Sequence, residues 1–288
     1  MKWRARPKAL VIGWTHMHSS LRRRFNVTEY GEGPVTLFFI HGLGTSQAIW
    51  RKVAPAFSDR YRILMMDLMG CGGSDATAWS PARYASLEGH AQDVLEVAES
   101  LSGQNTVLVL HSIAAMIGLM AELKAPHVFD AHVKIAPSPC YRNLPGYPGG
   151  FDPAVLEGFL ELLDQDLPAW ARAMSRIAAG SDREATLADE VERELLASHP
   201  AALQQFARVA LTGDFRERVG ELFKPTLILH CRDDAVAPAF VGQYMAERMA
   251  DARLAMLDED GHFPQLSVPA PTIAALRDFL DGLGLAGR

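Results

Sequence analysis

Between Thr106 and Ala115 the chain reads Thr-Val-Leu-Val-Leu-His-Ser-Ile-Ala-Ala, and this stretch restricts the architecture more than any other of its length. Thr106 to Leu110 are β-branched or apolar without a break, which predicts a strand covered on both faces. Such strands belong to parallel sheets flanked by helices. From Ser112 onward Ile113, Ala114, Ala115, Met116 and Leu119 predict a buried helix. The change from strand to helix falls on His111-Ser112. A sharp turn there lifts a serine hydroxyl above the sheet edge and aims the next helix's N-terminus at negative charge developing beside it. Turns of this type carry glycine two residues before and two after the serine, because side chains there crowd neighbouring backbone; this chain has Leu110 and Ala114.

The 288 residues suffice for one large α/β domain or a domain with an insertion. A net charge of -6 and the lack of any long basic block argue against a nucleic-acid partner. Cys71, Cys140 and Cys231 are far apart and form no Cys-x-x-Cys pair. This spacing predicts neither a disulfide framework nor a zinc site, and favours a reducing compartment, the cytoplasm. No apolar run approaches the ~20 residues that span a bilayer, so no membrane partner is expected. Lys2, Arg4, Arg6 and Lys8 precede the short apolar run Ala9 to Ile12, which falls short of the ~7–15 residues of a signal-peptide core. Residues 1–20 therefore read as a disordered leader.

Arg24 to Tyr30 and Val35 to Ile40 read as strands, and the second runs into His41-Gly42-Leu43-Gly44. Ser46 to Phe57 reads as one helix capped by Ser46, with Trp50 and Val53 on its apolar side. Tyr61 to Met66 is a further buried strand. The cluster Gly70-Cys71-Gly72-Gly73 after it opens no helix and is not a dinucleotide fingerprint. Ser86 to Leu101 has the apolar spacing of a helix, and Ala131 to Ala136 is strand-like. Strand–helix alternation from Val35 to Ala136 predicts an α/β fold with a doubly wound, mostly parallel sheet.

After Pro137 the rhythm changes. From Pro153 to Leu211 no strand candidate occurs, and four helices are expected at about 153–164, 168–179, 184–198 and 200–212. They predict a four-helix cap at 138–219, inserted between core segments 21–137 and 220–288. Strands return at 225–230 and 253–257, with helices at 239–249 and 270–283.

A serine follows one strand, an aspartate a later one and a histidine the last: Ser112, Asp234 and His262. A serine hydroxyl is a poor nucleophile at neutral pH and needs an imidazole to take its proton. The imidazole needs a carboxylate to fix its tautomer and stabilise its charged form. Two backbone donors must meet the oxyanion, and here these are the amides of Leu43 and Ile113. No metal and no cofactor is expected.

Further motifs narrow the reading. They are His41-Gly42-Leu43-Gly44-Thr45-Ser46-Gln47-Ala48-Ile49-Trp50, Asp67-Leu68-Met69-Gly70-Cys71-Gly72-Gly73-Ser74-Asp75, and Tyr84 to Glu96. Pro137-Ser138-Pro139-Cys140-Tyr141, Gly149-Gly150-Phe151 and Trp170-Ala171 complete the set. With these the chain resembles the α/β-hydrolases, and within them the RsbQ-like and karrikin–strigolactone receptor-like subfamily. The resemblance implies an α/β-hydrolase fold with a four-helix lid over an apolar pocket for a small ester or lactone. It also selects Asp234 over Asp233, because Asp234 stands four residues before Pro238, as the family's acid does. Phe159, Trp170, Met174 and Phe206, on the lid helices, are the candidate pocket residues; helix–helix packing is the default for such side chains, and one or two of the four are expected to line the pocket. The implied activity is hydrolysis of a small, mainly apolar carboxylic ester or lactone through an acyl-enzyme. The alternative is a ligand receptor with slow hydrolysis, whose protein partner would be a phosphatase of the PAS-domain type. Leu110 and Ala114, in place of the motif glycines, predict a crowded turn and a slow reaction.

Overall fold

The computed structural model describes residues 17–101, 104–180 and 185–285. Of the expected leader, residues 1–16 lie outside the described residues. The seven strands are β1 (Thr28–Tyr30), β2 (Val35–Ile40), β3 (Arg62–Met66), β4 (Asn105–His111), β5 (Ala131–Ile135), β6 (Thr226–Asp233) and β7 (Ala252–Asp260). They form one sheet in the order β1-β3-β2-β4-β5-β6-β7. Only β1 is antiparallel, pairing Thr28 with Met65; β2 and β4 pair in parallel from Val35↔Asn105 to Ile40↔Leu110. Every residue of β2, β3 and β5 is buried, as their unbroken apolar character requires of strands sandwiched between helices.

Chain order reverses between β2 and β4, so their carboxyl ends open a crevice at the centre of the sheet. Crevices at such switch points are where α/β folds place ligands. The loops after β2 and β4 contain Leu43 and Ser112; those after β6 and β7 contain Asp234 and His262.

Helices α1 (Ser19–Arg24), α2 (Glu88–Glu99) and α3 (Ala114–Lys124) precede the insertion. The insertion holds α4 (Pro153–Gln165), α5 (Leu167–Ala179), α6 (Ala185–Ala197) and α7 (Pro200–Thr212), and α8 (Ala239–Arg248), α9 (Pro264–Ser267) and α10 (Pro269–Leu283) follow it. Proline in the first turn of α4, α5 and α7 supplies a preset φ where no amide donor is needed. The Asp166 carboxylate accepts from the Ala169 amide at 3.0 Å and caps α5. No helix among the described residues is long and apolar enough to cross a membrane.

The lid is seated on the core by backbone. His199 donates its amide to Gly70 O at 2.8 Å, the Ser198 hydroxyl donates to Gly44 O at 3.3 Å, and His262 donates its amide to Ala178 O of α5 at 2.8 Å. Gly44 and Gly70 both have positive φ, and a Cβ on Gly70 would lie 2.3 Å from Ala202 Cβ. Glycine is required there because any side chain would lift α7 off the core.

Two elements differ from the sequence reading. Gln47–Trp50 and Ala54–Phe57 are separate 3-10 turns rather than one helix, although Ser46 does cap the first. Pro55 lacks the amide that a continuous helix would need in its middle. Ahead of β1, Ser19–Arg24 is helical where a strand was expected from Arg24, and Met17 is buried. Asn26, with φ of 46°, turns the chain from that helix into the short edge strand.

One charge is buried in the sheet. Lys134 of β5 is 1% exposed and donates to Ala115 O in the first turn of α3 at 2.8 Å. Burial pushes its amine down to about 7, with Glu122 of α3 opposing. Glu122 is pushed up to about 7 by the same burial, opposed by Lys224 and Lys134.

Candidate active site

Ser112 sits between β4 and α3 with a φ of 57°. This is a strained conformation for a residue with a Cβ, held because both flanking elements are fixed. Its amide donates to Ile135 O at the end of β5 (2.9 Å), and its carbonyl accepts from Ala115 to start the helix (3.0 Å). Leu110 does not crowd this turn as expected. A Cβ built on Gly118, in the middle of α3, would lie 2.5 Å from Leu110 Cδ1 and 3.1 Å from Cδ2. The leucine therefore fills the space of a side chain that α3 lacks. Ala114, also fully buried, adds only a methyl.

Three side chains from three loops meet in line. Ser112 Oγ is 2.7 Å from His262 Nε2, and His262 Nδ1 is 2.7 Å from Asp234 Oδ2. The second carboxylate oxygen accepts from the amides of Val236 (2.9 Å) and Ala237 (3.0 Å). Asp234 is thus acceptor-only at both oxygens, so Nδ1 carries the proton and Nε2 is left to accept from the serine. Burial alone would raise the Asp234 carboxyl, but the His262 charge and hydrogen bond, with His230 and the Ala237 amide, hold it below the ordinary value. Asp233 is exposed at the end of β6 and enters the site only through its carbonyl, which accepts from the Gly261 amide at 3.0 Å.

His262 is braced on both sides of its peptide. Its amide bonds Ala178 O, and its carbonyl accepts from His111 Nε2 at 2.8 Å. Burial pushes His111 down to about 3, which makes it a neutral donor. Sequence reasoning assigned no chemistry to His111, and the structure makes it a brace.

Tyr141, in the loop after β5, places its hydroxyl 3.1 Å from Ser112 Oγ. With the serine proton directed to His262, the tyrosine is the donor of this pair. Burial raises the Tyr141 phenol, keeping it protonated. Sequence reasoning quoted this residue only as part of a motif. Nothing in the spacing shows that a loop from β5 reaches back over β4.

Leu43 and Ile113 both line the cavity in front of the serine, and neither amide donates to another of the described residues. The two loops touch closely: a Cβ on Gly42 would lie 3.1 Å from Ser112 Cβ. His41 fixes the first loop, donating from Nδ1 to Gly42 O and accepting the Leu68 amide at Nε2, each at 2.8 Å. Burial lowers its pKa, which keeps it in this neutral form.

The cavity measures about 50 Å³, and its walls outside the reacting groups are apolar. Met174 of α5, Val191 and Leu195 of α6 and Leu211 of α7 close it from above, and Val236 and Phe263 from the side. Of the four candidate pocket residues only Met174 is among these. Phe159 packs against Phe151 with ring centroids 6.0 Å apart, and Phe206 lies on His90 at 4.5 Å. Trp170 is wholly buried away from the cavity, in the helix packing of the lid. The three large rings of the lid pack against the lid itself or the core beneath it, and the lid side chains that line the cavity are Met, Val, Leu and Ala. No group of three or more His, Cys, Asp or Glu among the described residues is arranged to hold a metal ion.

Known proteins place this geometry in context. A strigolactone esterase from Arabidopsis thaliana is 32% identical over 253 residues, covering 88% of this chain and 94% of its own length. A karrikin insensitive 2 receptor from Petunia hybrida is 29% identical, covering 87% of this chain and 93% of its own. Among solved structures, a hydrolase from Oleispira antarctica superposes with a TM-score of 0.89 at 29% identity, over 91% of this chain and 97% of that one. The profile of the alpha/beta hydrolase family matches residues 37–275. The chain belongs to the alpha/beta hydrolase family.

Proposed function

We propose that the protein is a serine hydrolase that cleaves a small, mainly apolar carboxylic ester or lactone through an acyl-enzyme. The observation that carries this reading is the line from Asp234 through His262 to Ser112, with both links at 2.7 Å. Ser112 Oγ bonds to the carbonyl carbon while its proton passes to His262 Nε2. The carbonyl π pair moves to an oxygen met by the Leu43 and Ile113 amides. Collapse breaks the bond to the alkoxide, which takes the proton from His262; an ester's alcohol then leaves, and a lactone's stays tethered as the hydroxyl of the acyl group. Water then repeats the sequence on the acyl-enzyme, with His262 again as base. Asp234 holds the tautomer, and the Tyr141 hydroxyl orients Oγ. Every role is filled by a side chain or amide of the chain itself.

The test is intact-protein mass spectrometry after a fluorophosphonate probe. One adduct is expected, mapped to Ser112, lost in Ser112→Ala and strongly reduced in His262→Ala. An adduct that persists in Ser112→Ala overturns the reading.

The relatives above include both an esterase and a receptor, which favours a second reading in which hydrolysis serves ligand sensing; the protein partner would then be the phosphatase of the PAS-domain type that the sequence resemblance implies. Steady turnover of an ester without loss of activity supports the enzyme. A single turnover that leaves the protein acylated supports the receptor.

A further inference from the structure

We infer that the narrow cavity before Ser112 selects esters of short, uncharged acyl chains, of about two to four carbons. This rests on the hydrolase reading above. The acyl group, unlike the alcohol, stays bonded to Ser112 after the first step and must be housed under the lid until water arrives.

The space available is small. A cavity needs at least about 10–15 Å³ to hold one water, and one of roughly 150 Å³ holds the six carbons of a benzene ring. The cavity before Ser112 measures about 50 Å³. Between those two scales it takes roughly two to five non-hydrogen atoms. An acetyl to butyryl group fits, and an aromatic or long acyl chain does not.

The limit is set by particular side chains. Met174, Val191, Leu195 and Leu211 project from three lid helices into the space above the serine. The lid that carries them is tied to the core at Gly44 O, Gly70 O and the His262 amide. Leu195 is also wedged against the core loop: a Cβ on Gly44 would lie 2.5 Å from its Cδ2. The walls offer no charged partner apart from the reacting histidine. A carboxylate at the far end of the acyl chain would be buried unpaired, which is costly.

The experiment is a chain-length series of 4-nitrophenyl esters, from acetate to octanoate, on the full chain. The leaving group is constant, so kcat/KM reports acyl fit. The optimum is expected at or below four carbons, with a fall of about tenfold or more between butyrate and hexanoate, since misfit by methylenes is worth at least that much. Leu211→Ala and Met174→Ala, each checked to keep a single cooperative melting transition, should each move the optimum toward longer chains. The mono-succinyl ester should react at least tenfold more slowly than the butyrate.

If kcat/KM instead rises steadily to octanoate while Ser112→Ala is inactive, the size limit is wrong and the hydrolase reading stands. If neither the series nor the fluorophosphonate reacts at Ser112, the hydrolase reading fails and takes this inference with it.

Discussion

Asp233 and Asp234 are neighbours in sequence and opposites in circumstance. One carboxylate faces solvent; the other is 4% exposed, bonded to His262 and to two backbone amides. Asp234→Asn should therefore cost on the order of 10⁴ in kcat, by leaving the imidazole in the wrong tautomer. Asp233→Asn should stay within about twofold, as a surface change does. Ester hydrolysis rates on the two purified variants check this, and a crippled Asp233→Asn would move the acid by one residue. The sequence distinguished the pair only through the family spacing to Pro238. What separates them physically is the turn at Val236 and Ala237, whose amides converge on one oxygen. Such convergence has no sequence pattern of its own. The same holds for Tyr141, which reaches Ser112 from the loop after β5, and for His111, whose bond to the His262 carbonyl joins positions far apart in the chain.

At the scale of elements, β4 and α3 have been fitted to each other. Leu110 occupies the notch at Gly118, so the crowding foreseen from sequence has been relieved one helical turn further on. Leu110→Gly is accordingly expected to open a cavity and to lose at least the ~2–5 kcal/mol typical of a buried Leu→Ala change, with no gain in kcat. Gly118→Ala should overpack the same contact at a cost of about 1–3 kcal/mol. In Leu110→Ala/Gly118→Ala the two losses should fall short of their sum by roughly 0.5–3 kcal/mol. Urea unfolding of the four proteins measures this coupling, and strict additivity would show that the two residues do not share the space. The lid helices were legible to within a residue or two, because proline marks the start of three of them. The segment after Ser46 was misread because its apolar spacing outweighed Pro55. Of the four pocket candidates Met174 lines the cavity, and which of them would do so was not legible, because helical periodicity tells which residues turn inward but not whether they meet protein or empty space.

At the scale of the whole molecule, the charge at Lys134 makes stability depend on pH. Burial lowers its pKa from an ordinary 10.5 to about 7. Between these values the unfolded chain binds the extra proton, so this residue's contribution to stability rises with pH across that window. Glu122, raised from 4.5 to about 7, acts in the opposite sense at lower pH: its contribution falls as pH climbs between those values. His132, Asp130 and Lys224 share the surroundings of the pair. Lys134→Met removes the desolvation cost of the buried ammonium while keeping the stem, and Lys224 still faces Glu122. Its melting temperature should exceed that of the natural chain near pH 6, and the gain should shrink by about pH 9, where the natural lysine is largely neutral. Thermal unfolding at the two pH values decides the matter, and a gain that grows with pH would contradict it. A last consequence follows from the bond between the His262 amide and Ala178 of the lid. A door is usually separate from the machine behind it. Here the latch is the backbone of the proposed base, so any movement of α5 away from the core would also loosen the residue proposed to activate Ser112 for the next turnover. Each departure would briefly disarm the protein, and a closed door would be the condition of readiness rather than an obstacle to it.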